Sequence, residues 1–159
     1  MKKEIILLTI GVSLLAGCNN NLPELNENNR KMLLGQWEVV KETVTNGDGF
    51  GGVFTREGDK LLETNIYDFS DNQVTHETST IYSSYHGYIS NTYDYTLDAK
   101  DKGKWLVTII GIYDKQRNLE GGRSPITIHK LTKNAMEWEY ETYGGDEGPV
   151  VYYQYLKHK

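Results

Sequence analysis

The 159-residue sequence has little cysteine, no long apolar run and no excess of positive charge. Because Cys18 is its only cysteine, an intramolecular disulfide is excluded and the domain must be held together by its core. The longest apolar stretch, residues 5–16, is shorter than the run of about 20 residues that a transmembrane helix requires. With 22 acidic and 17 basic residues, the chain also lacks the basic character that nucleic-acid binding needs.

The first 18 residues have the arrangement of an export signal. Lys2 and Lys3 precede the apolar stretch, and Leu15, Ala16, Gly17 and Cys18 follow it. Residues 15–18 resemble the lipobox of bacterial lipoproteins, which implies that residues 1–17 are removed and that Cys18 carries a diacylglycerol, with a further acyl chain on the new amino terminus. Two or more acyl chains hold a protein durably on a membrane. The alternative is a buried helix with an inert cysteine in a cytosolic protein, but no amphipathic pattern is present to pack it.

The resemblance also implies a location in the cell envelope. Asn19 follows the cysteine in place of the Asp that retains lipoproteins on an inner membrane, which favours the outer membrane in a cell with two membranes. Residues 18–29 are rich in Asn and Glu and poor in apolar groups, so we expect the lipidated cysteine and a flexible tether there. Residues 30–159 are then one domain, since a chain of about 150 residues buries enough surface for a core of its own.

From Gly35 onward, apolar and polar residues alternate with a period of two, as in residues 136–142, where Met136, Trp138 and Tyr140 alternate with glutamates. Without a helical stretch for crossovers, the strands should form an antiparallel meander. Eight such strands close into a barrel or split into a sandwich, and we favour the barrel. The predicted strands are residues 36–44, 61–69, 73–82, 91–98, 104–113, 125–131, 136–142 and 149–157.

A short helical turn is predicted over residues 30–34, with Asn29 as N-cap and Gly35 ending it. Gly35, Gln36 and Trp37 then resemble the G-x-W signature that opens lipocalins. The likeness to lipocalin-like domains of bacterial lipoproteins covers residues 32–159, through residues 34–37, 67–72, 126–132 and 136–140. It implies an eight-stranded up-and-down barrel in which Trp37 plugs the closed end and a basic side chain of the last strand, for which Lys157 is the nearest match, covers it. An ordinary core tryptophan would be buried as well.

One segment has a partial resemblance to a calcium loop. Asn46, Asp48, Gly51 and Glu57 fall at positions 1, 3, 6 and 12 of an EF-hand-like loop. Phe50 takes the fifth position, where an oxygen ligand is needed, and no helix flanks the segment. We therefore interpret residues 45–58 as a flexible glycine-rich loop at the mouth of the barrel.

No catalytic constellation is evident in the rest of the chain. The four histidines lack the spacing of a zinc site, and the serines at 83 and 84 lack the Gly-x-Ser-x-Gly of a nucleophile elbow. Residues 137, 139 and 141 are glutamates on a face that should be outward, and the acidic pair at 146 and 147 lies in a turn. We therefore expect no enzyme, no cofactor and no metal.

The inward aromatic side chains are the remaining candidates for a site. An eight-stranded barrel either fills itself with side chains or holds one small ligand. Our leading hypothesis is a monomeric, lipid-anchored lipocalin-like protein that binds a small apolar or amphiphilic molecule, and the alternative is an envelope module with a filled core whose loops bind a protein or glycan. The candidate lumen residues are Trp37, Phe69, Tyr95, Trp105, Trp138, Tyr140 and Tyr153.

Overall fold

The computed structural model describes residues 22–46, 52–61, 63–80, 87–100, 103–110, 125–142 and 148–159. The predicted leader, Cys18 and the first residues of the predicted tether lie outside this part of the chain. Within it, no helix is long and apolar enough to cross a membrane.

The described residues form a closed antiparallel barrel with one small helix, which confirms the predicted fold. The sheet closes because β1 pairs with β3 at its start and with β9 along most of its length. The elements are α1 (Glu27–Arg30), a 3-10 turn (Lys31–Leu33), β1 (Gly35–Thr45), β2 (Val53–Glu57), a 3-10 turn (Gly58–Lys60), β3 (Glu63–Phe69), β4 (Gln73–Thr80), β5 (Tyr88–Lys100), β6 (Lys104–Ile110), β7 (Ile126–Leu131), β8 (Ala135–Thr142) and β9 (Val150–His158).

Strand β2 lies within the segment that the sequence predicts to be a loop, and that prediction is wrong for residues 53–57. Residues 35–38 of β1 pair with β3, and residues 41–45 of β1 pair with β2. β2 and β3 therefore follow one another along the same edge of β1, with the turn Gly58–Lys60 between them. The barrel therefore has eight strand positions around its wall, and β2 and β3 together occupy the second of them.

The end of the barrel where β1 begins is closed by the N-terminal segment. The helix starts earlier than predicted, because Asn26 rather than Asn29 is the N-cap: Oδ1 of Asn26 accepts from the backbone N–H groups of Asn28 (3.1 Å) and Asn29 (3.0 Å). The preceding residues are docked instead of free. Leu22 is buried and its N–H donates to the carbonyl of Gly103 (2.7 Å), while the indole of Trp105 donates to the carbonyl of Pro23 (3.0 Å). Leu22 and Pro23, which the sequence assigns to a flexible tether, are thus attached to the barrel.

Trp37 seals this closed end from inside. Its side chain is fully buried, and its indole N–H donates to the carbonyl of Leu33 (2.8 Å). The ring that covers it belongs to His158, which meets it edge-on with centroids 4.9 Å apart. The prediction of Lys157 is wrong by one residue, because Trp37 stands opposite His158 in the register while Lys157 stands opposite Glu38 and is exposed.

Gly35 is required by this arrangement. A Cβ at position 35 would lie 2.6 Å from Nε2 of His158, and the residue has a φ of +105°, which L side chains rarely adopt. Glycine therefore allows the chain to turn from helix to strand directly beneath the histidine ring.

Candidate functional site

The open end of the barrel, where β1 ends and β9 begins, has polar side chains in its lumen. A bulge in β1 puts one of them there. Val39 stands opposite Leu156 and Lys41 opposite Tyr155, so Val40 is an extra residue in the strand. Strict alternation from Trp37 and Val39 would turn Lys41 inward, whereas the bulge turns Glu42 inward, opposite Gln154.

Glu42 is the centre of a hydrogen-bonded chain that runs from the core to the lumen. The indole N–H of Trp138 donates to Oε1 of Gln154 (2.9 Å), and Nε2 of Gln154 donates to Oε2 of Glu42 (2.7 Å). Gln154 is 1% exposed, so both ends of its amide need these partners. The buried amide therefore holds the Glu42 carboxylate in place.

Arg56 of β2 completes the chain at the mouth. Its guanidinium lies 3.6 Å from Oε1 of Glu42, which is longer than the roughly 2.7–2.9 Å of a charge-assisted hydrogen bond. Among the residues that the structure describes, Arg56 donates no hydrogen bond, although two thirds of its side chain is buried. A guanidinium has five N–H donors, so Arg56 keeps most of its capacity to bind a ligand.

A second polar group faces this chain from β3 and β4. Oδ1 of Asn65 lies 2.9 Å from Nε2 of His76 and accepts from the hydroxyl of Thr78 (3.3 Å). The His76 ring stacks on Tyr67 with centroids 4.4 Å apart, and Tyr67 meets Trp138 edge-on. These contacts fix the Asn65 side chain, which is 8% exposed, on the wall of the lumen.

Between the two polar groups lies a cavity of about 240 Å³ that opens to solvent. Tyr140 and Tyr152 stack on one side of it, with centroids 5.1 Å apart and nearly parallel planes. The volume corresponds to roughly eight water molecules at about 30 Å³ each. The lining residues are Glu42, Arg56, Leu61, Glu63, Asn65, Tyr140, Thr142, Tyr152 and Gln154.

Below this cavity the barrel is filled, and most of the candidate lumen residues belong to the filling. Trp37, Phe69, Tyr95 and Trp105 are buried in the apolar core of the closed half. Phe69 meets Tyr95 edge-on, and the Tyr95 hydroxyl donates to the carbonyl of Ser70 (2.8 Å). Burial raises the pKa of Tyr95, a rise that the nearby Arg30 opposes. These four residues pack the core and do not line the cavity.

The other three candidates are divided between the site and the outer surface. Tyr140 lines the cavity, and Trp138 lies beneath it and holds Gln154. Tyr153 is outside the lumen, which corrects the prediction: in β9 the inward side chain is the next one, Gln154. The Tyr153 hydroxyl donates to Oε2 of Glu137 (3.0 Å) on the outer face of β8. The strand is apolar on both faces, so its phase was ambiguous in the sequence.

The sequence analysis missed the polar residues that line the cavity. Gln154 could have been found, since it is a lone amide at the same parity as Tyr152 and Leu156 in an aromatic strand. Glu42 could not, because strict alternation places it outside. Arg56 lies in β2, within a segment that the sequence predicts to be a loop.

Within the part of the chain that the structure describes, the metal and catalytic candidates of the sequence do not come together. Nδ2 of Asn46 lies 3.5 Å from the carbonyl of Pro149, and Glu57 pairs with Lys41 on the outside; Asp48 and Gly51 lie outside the described residues. No group of three metal-ligating side chains occurs within the described ranges. Ser83, Ser84, His86, Asp146 and Glu147 also fall outside the part of the chain that the structure describes.

The remaining histidines and glutamates lie at separate places on the described barrel. His158 covers Trp37, and His76 belongs to the Asn65 group. Nε2 of His129 lies 3.2 Å from Glu139 on the outer face, without the geometry of a hydrogen bond. Glu137 pairs with Lys130 on the same face.

No family model and no curated protein matches the sequence. Among solved structures, the chain is similar to bovine odorant-binding protein, solved with its natural ligand, over 86% of this chain and 77% of that one, with 15% identity and a TM-score of 0.48. It is similar to apocrustacyanin C2 over 84% of this chain, with 11% identity and a TM-score of 0.42, and it spans only 64% of that protein. A protein of unknown function from the DUF3598 family of Nostoc punctiforme is matched over 88% of this chain and 51% of that one, with 11% identity and a TM-score of 0.49. These likenesses concern the fold alone.

Proposed function

We propose that the protein binds a small amphiphilic molecule, without catalysis, in the cavity at the open end of its barrel while a lipid on Cys18 holds it in the cell envelope. The polar head of the ligand lies against Arg56, and its apolar part lies against the stacked rings of Tyr140 and Tyr152. The ligand is small, because the closed half of the barrel is filled by core side chains.

The unused donors of Arg56 carry this proposal. Arg56 lines the cavity, is paired with Glu42 at 3.6 Å and donates no hydrogen bond within the described chain, so its donors are left to solvent or to a ligand that replaces the solvent. A carboxylate or phosphate head can accept from Arg56 in a bidentate manner. A purely apolar molecule would bury the Glu42 and Arg56 charges without replacing their water, so it should bind poorly.

The membrane part of the proposal rests on the first 18 residues. Their basic start, apolar stretch and lipobox-like end support removal of residues 1–17 and lipidation of Cys18. Mass spectrometry of the N-terminal peptide from the producing cell tests this directly. An unmodified Cys18 thiol would contradict it and would leave the binding proposal untouched.

Ligand binding can be tested in two steps. Native mass spectrometry of the full chain, purified from its own host, should show a co-purifying molecule. A panel of small ring-containing carboxylates and phosphates should then bind at one saturable site and change the tryptophan fluorescence, because Trp138 lies beneath the cavity. Absence of both signals would contradict the proposal and would favour contacts through the loops.

A matched pair of variants locates the site. Glu42→Gln keeps the shape of the side chain but removes the negative charge that competes with an anionic head for Arg56, so we expect the affinity for carboxylates and phosphates to rise by about tenfold to a hundredfold, the range of a charged hydrogen bond. Glu57→Gln removes a carboxylate on the same strand pair but outside the lumen, and it should leave the affinity unchanged. Equal effects of the two substitutions would place the ligand elsewhere.

A further inference from the structure

The cavity at the open end has a second carboxylate, and the structure gives it no partner. Glu63 lines the cavity from the first position of β3, on the inward face of the strand that also carries Asn65 and Tyr67. Its side chain is partly buried and makes no hydrogen bond and no ion pair within the described ranges. The carboxylate oxygens of Glu63 are therefore left to solvent or to a ligand.

Glu63 differs in this respect from Glu42, the other carboxylate of the cavity. Oε2 of Glu42 accepts from Nε2 of Gln154 (2.7 Å), and Oε1 of Glu42 faces the Arg56 guanidinium at 3.6 Å. The protein thus orients both oxygens of Glu42 and neither oxygen of Glu63. Because an ionised carboxylate only accepts hydrogen bonds, Glu63 requires a donor, and a cationic donor such as an ammonium group makes the strongest bond.

The order of the strands puts this carboxylate near the guanidinium. β2 and β3 follow one another along the same edge of β1. Arg56 lies near the end of β2 and Glu63 at the beginning of β3, and Leu61, another lining residue, lies between them in the chain. An under-used cation and an unpaired anion therefore face one cavity from consecutive parts of its wall.

The charge of the lining disfavours a ligand that has only an anionic head. Among the nine described lining residues, the charged ones are Glu42, Arg56 and Glu63, so negative charge exceeds positive charge. A sphere with the volume of the cavity is about 8 Å across, no more than the Debye length of about 8–10 Å, so salt does not screen these charges from one another. A lone carboxylate would be attracted by Arg56 and repelled by Glu63, whereas an added ammonium group turns that repulsion into an attraction.

We propose that the ligand of this cavity is a small ring-containing zwitterion, whose carboxylate or phosphate binds Arg56 and whose ammonium group binds Glu63. The inference rests on the proposed function, because it assigns the second polar group of the molecule that the cavity binds. It does not depend on the membrane tether.

Matched sets of three probes test for the ammonium group. Phenylalanine has a ring, an ammonium group and a carboxylate, whereas hydrocinnamate lacks the ammonium group and phenethylamine lacks the carboxylate. A second set, para-(aminomethyl)benzoate, para-toluate and para-methylbenzylamine, repeats the comparison with the two charges further apart. In at least one set, calorimetry with the full chain should show that the zwitterion binds about tenfold to a hundredfold more tightly than either partial analogue, the range of a charged hydrogen bond.

Glu63→Gln should abolish this preference. The amide keeps the shape of the side chain without its charge, so the zwitterion should bind no more tightly than its amine-free analogue. The affinity of that analogue should rise, because Glu63 no longer repels it, and a general loss of structure would not produce this split. Glu77→Gln removes a carboxylate from the outer face of the neighbouring strand β4, opposite Ile66, and it should leave every affinity unchanged.

The outcomes separate this inference from the proposed function. The ammonium subsite is wrong if the amine-free carboxylates bind as tightly as the zwitterions in both sets, or if Glu63→Gln leaves the preference intact. It is also wrong if neither zwitterion binds while a member of the wider panel of carboxylates and phosphates does. In these cases the anion site at Arg56 stands. If the amines bind best, or if no probe of any kind binds, the anion site of the proposed function is contradicted as well.

Discussion

The indole N–H of Trp138 donates to Oε1 of Gln154 at 2.9 Å, and this bond joins the apolar core to the polar cavity. Trp138 is fully buried and packs edge-on against Tyr67. The amide nitrogen of Gln154 donates to the Glu42 carboxylate. One buried amide therefore satisfies the tryptophan below it and positions the carboxylate above it.

Replacing that amide should destabilise the barrel. Gln154→Leu has a similar size, but it leaves the buried indole N–H of Trp138 without an acceptor and Glu42 without its donor. We expect the free energy of unfolding to fall by about 1–3 kcal/mol, the cost of an unsatisfied buried polar group. Urea unfolding measures it. Gln73→Leu, which removes an exposed glutamine bonded to Asp94, is the control and should cost less than about 0.5 kcal/mol; equal costs would mean that the buried amide has no special role.

The close approach of His158 to Gly35 predicts a second stability effect. In Gly35→Ala the new Cβ would lie 2.6 Å from the His158 ring, and the alanine would have to adopt a positive φ. In Gly58→Ala the alanine would also have to adopt a positive φ, but no atom lies within 4 Å of its Cβ. Each should lose about 1–2 kcal/mol from backbone strain, and Gly35→Ala should lose more because of the ring. In the His158→Ala background, urea unfolding should show the same loss of stability for Gly35→Ala and Gly58→Ala. A larger loss for Gly35→Ala in that background would contradict the contact with the His158 ring.

Trp37 should be one of the most costly side chains to truncate. It is fully buried, bonded to Leu33 and covered by His158, so Trp37→Ala should lower the free energy of unfolding by about 3–5 kcal/mol. Tyr88→Ala, at a position that is 65% exposed, is the matched aromatic truncation and should change little. Thermal unfolding that hardly changed in Trp37→Ala would rule out the plug at the closed end.

The environment of Tyr153 predicts that the folded protein loses stability at alkaline pH. Burial raises the pKa of Tyr153 above 10.0, and its hydrogen bond to Glu137 raises the pKa further. Above about pH 10 the unfolded chain loses this proton while the folded chain keeps it, so the free energy of unfolding falls as the pH rises toward the raised pKa. Below pH 10 the phenol is protonated in both states and contributes no pH dependence.

Stability curves of Tyr153→Phe measure this effect. The variant lacks the titrating group, so its stability should decline less steeply above pH 10 than that of the parent chain. Tyr88→Phe, an exposed tyrosine, is the control and should follow the parent curve. Parallel curves for all three proteins would show that Tyr153 is not the group responsible.

The alternation of apolar residues was sufficient to predict an antiparallel sheet with one buried face, and the lipocalin resemblance favoured a barrel over a sandwich. Residues 136–142 show why: each inward residue is large and apolar and each outward one is charged or polar, so only one face of the strand can be buried. The structure confirms the closed antiparallel barrel, and the predicted strand ends that fall within the described residues differ from the observed ones by at most three residues. The burial of Trp37 follows from the same local information.

The position of the cavity required the tertiary structure. The period of two does not reveal a bulge, so nothing in the local pattern shows that Val40 is an extra residue and that Glu42 turns inward. Nor does it fix the phase of a strand that is apolar on both faces, so it does not show that Tyr153 lies outside the lumen and Gln154 inside.

The sequence by itself determined what local chemistry controls: the strands, the hairpins and the glycine at position 35 ahead of Trp37. The export signal that ends at Cys18 stays a prediction. The tertiary structure alone decided what depends on pairing between distant segments. It packed Leu22 against the closed end of the barrel and placed His158 instead of Lys157 over Trp37. Register is a property of two strands together, and no single strand contains the information that fixes it.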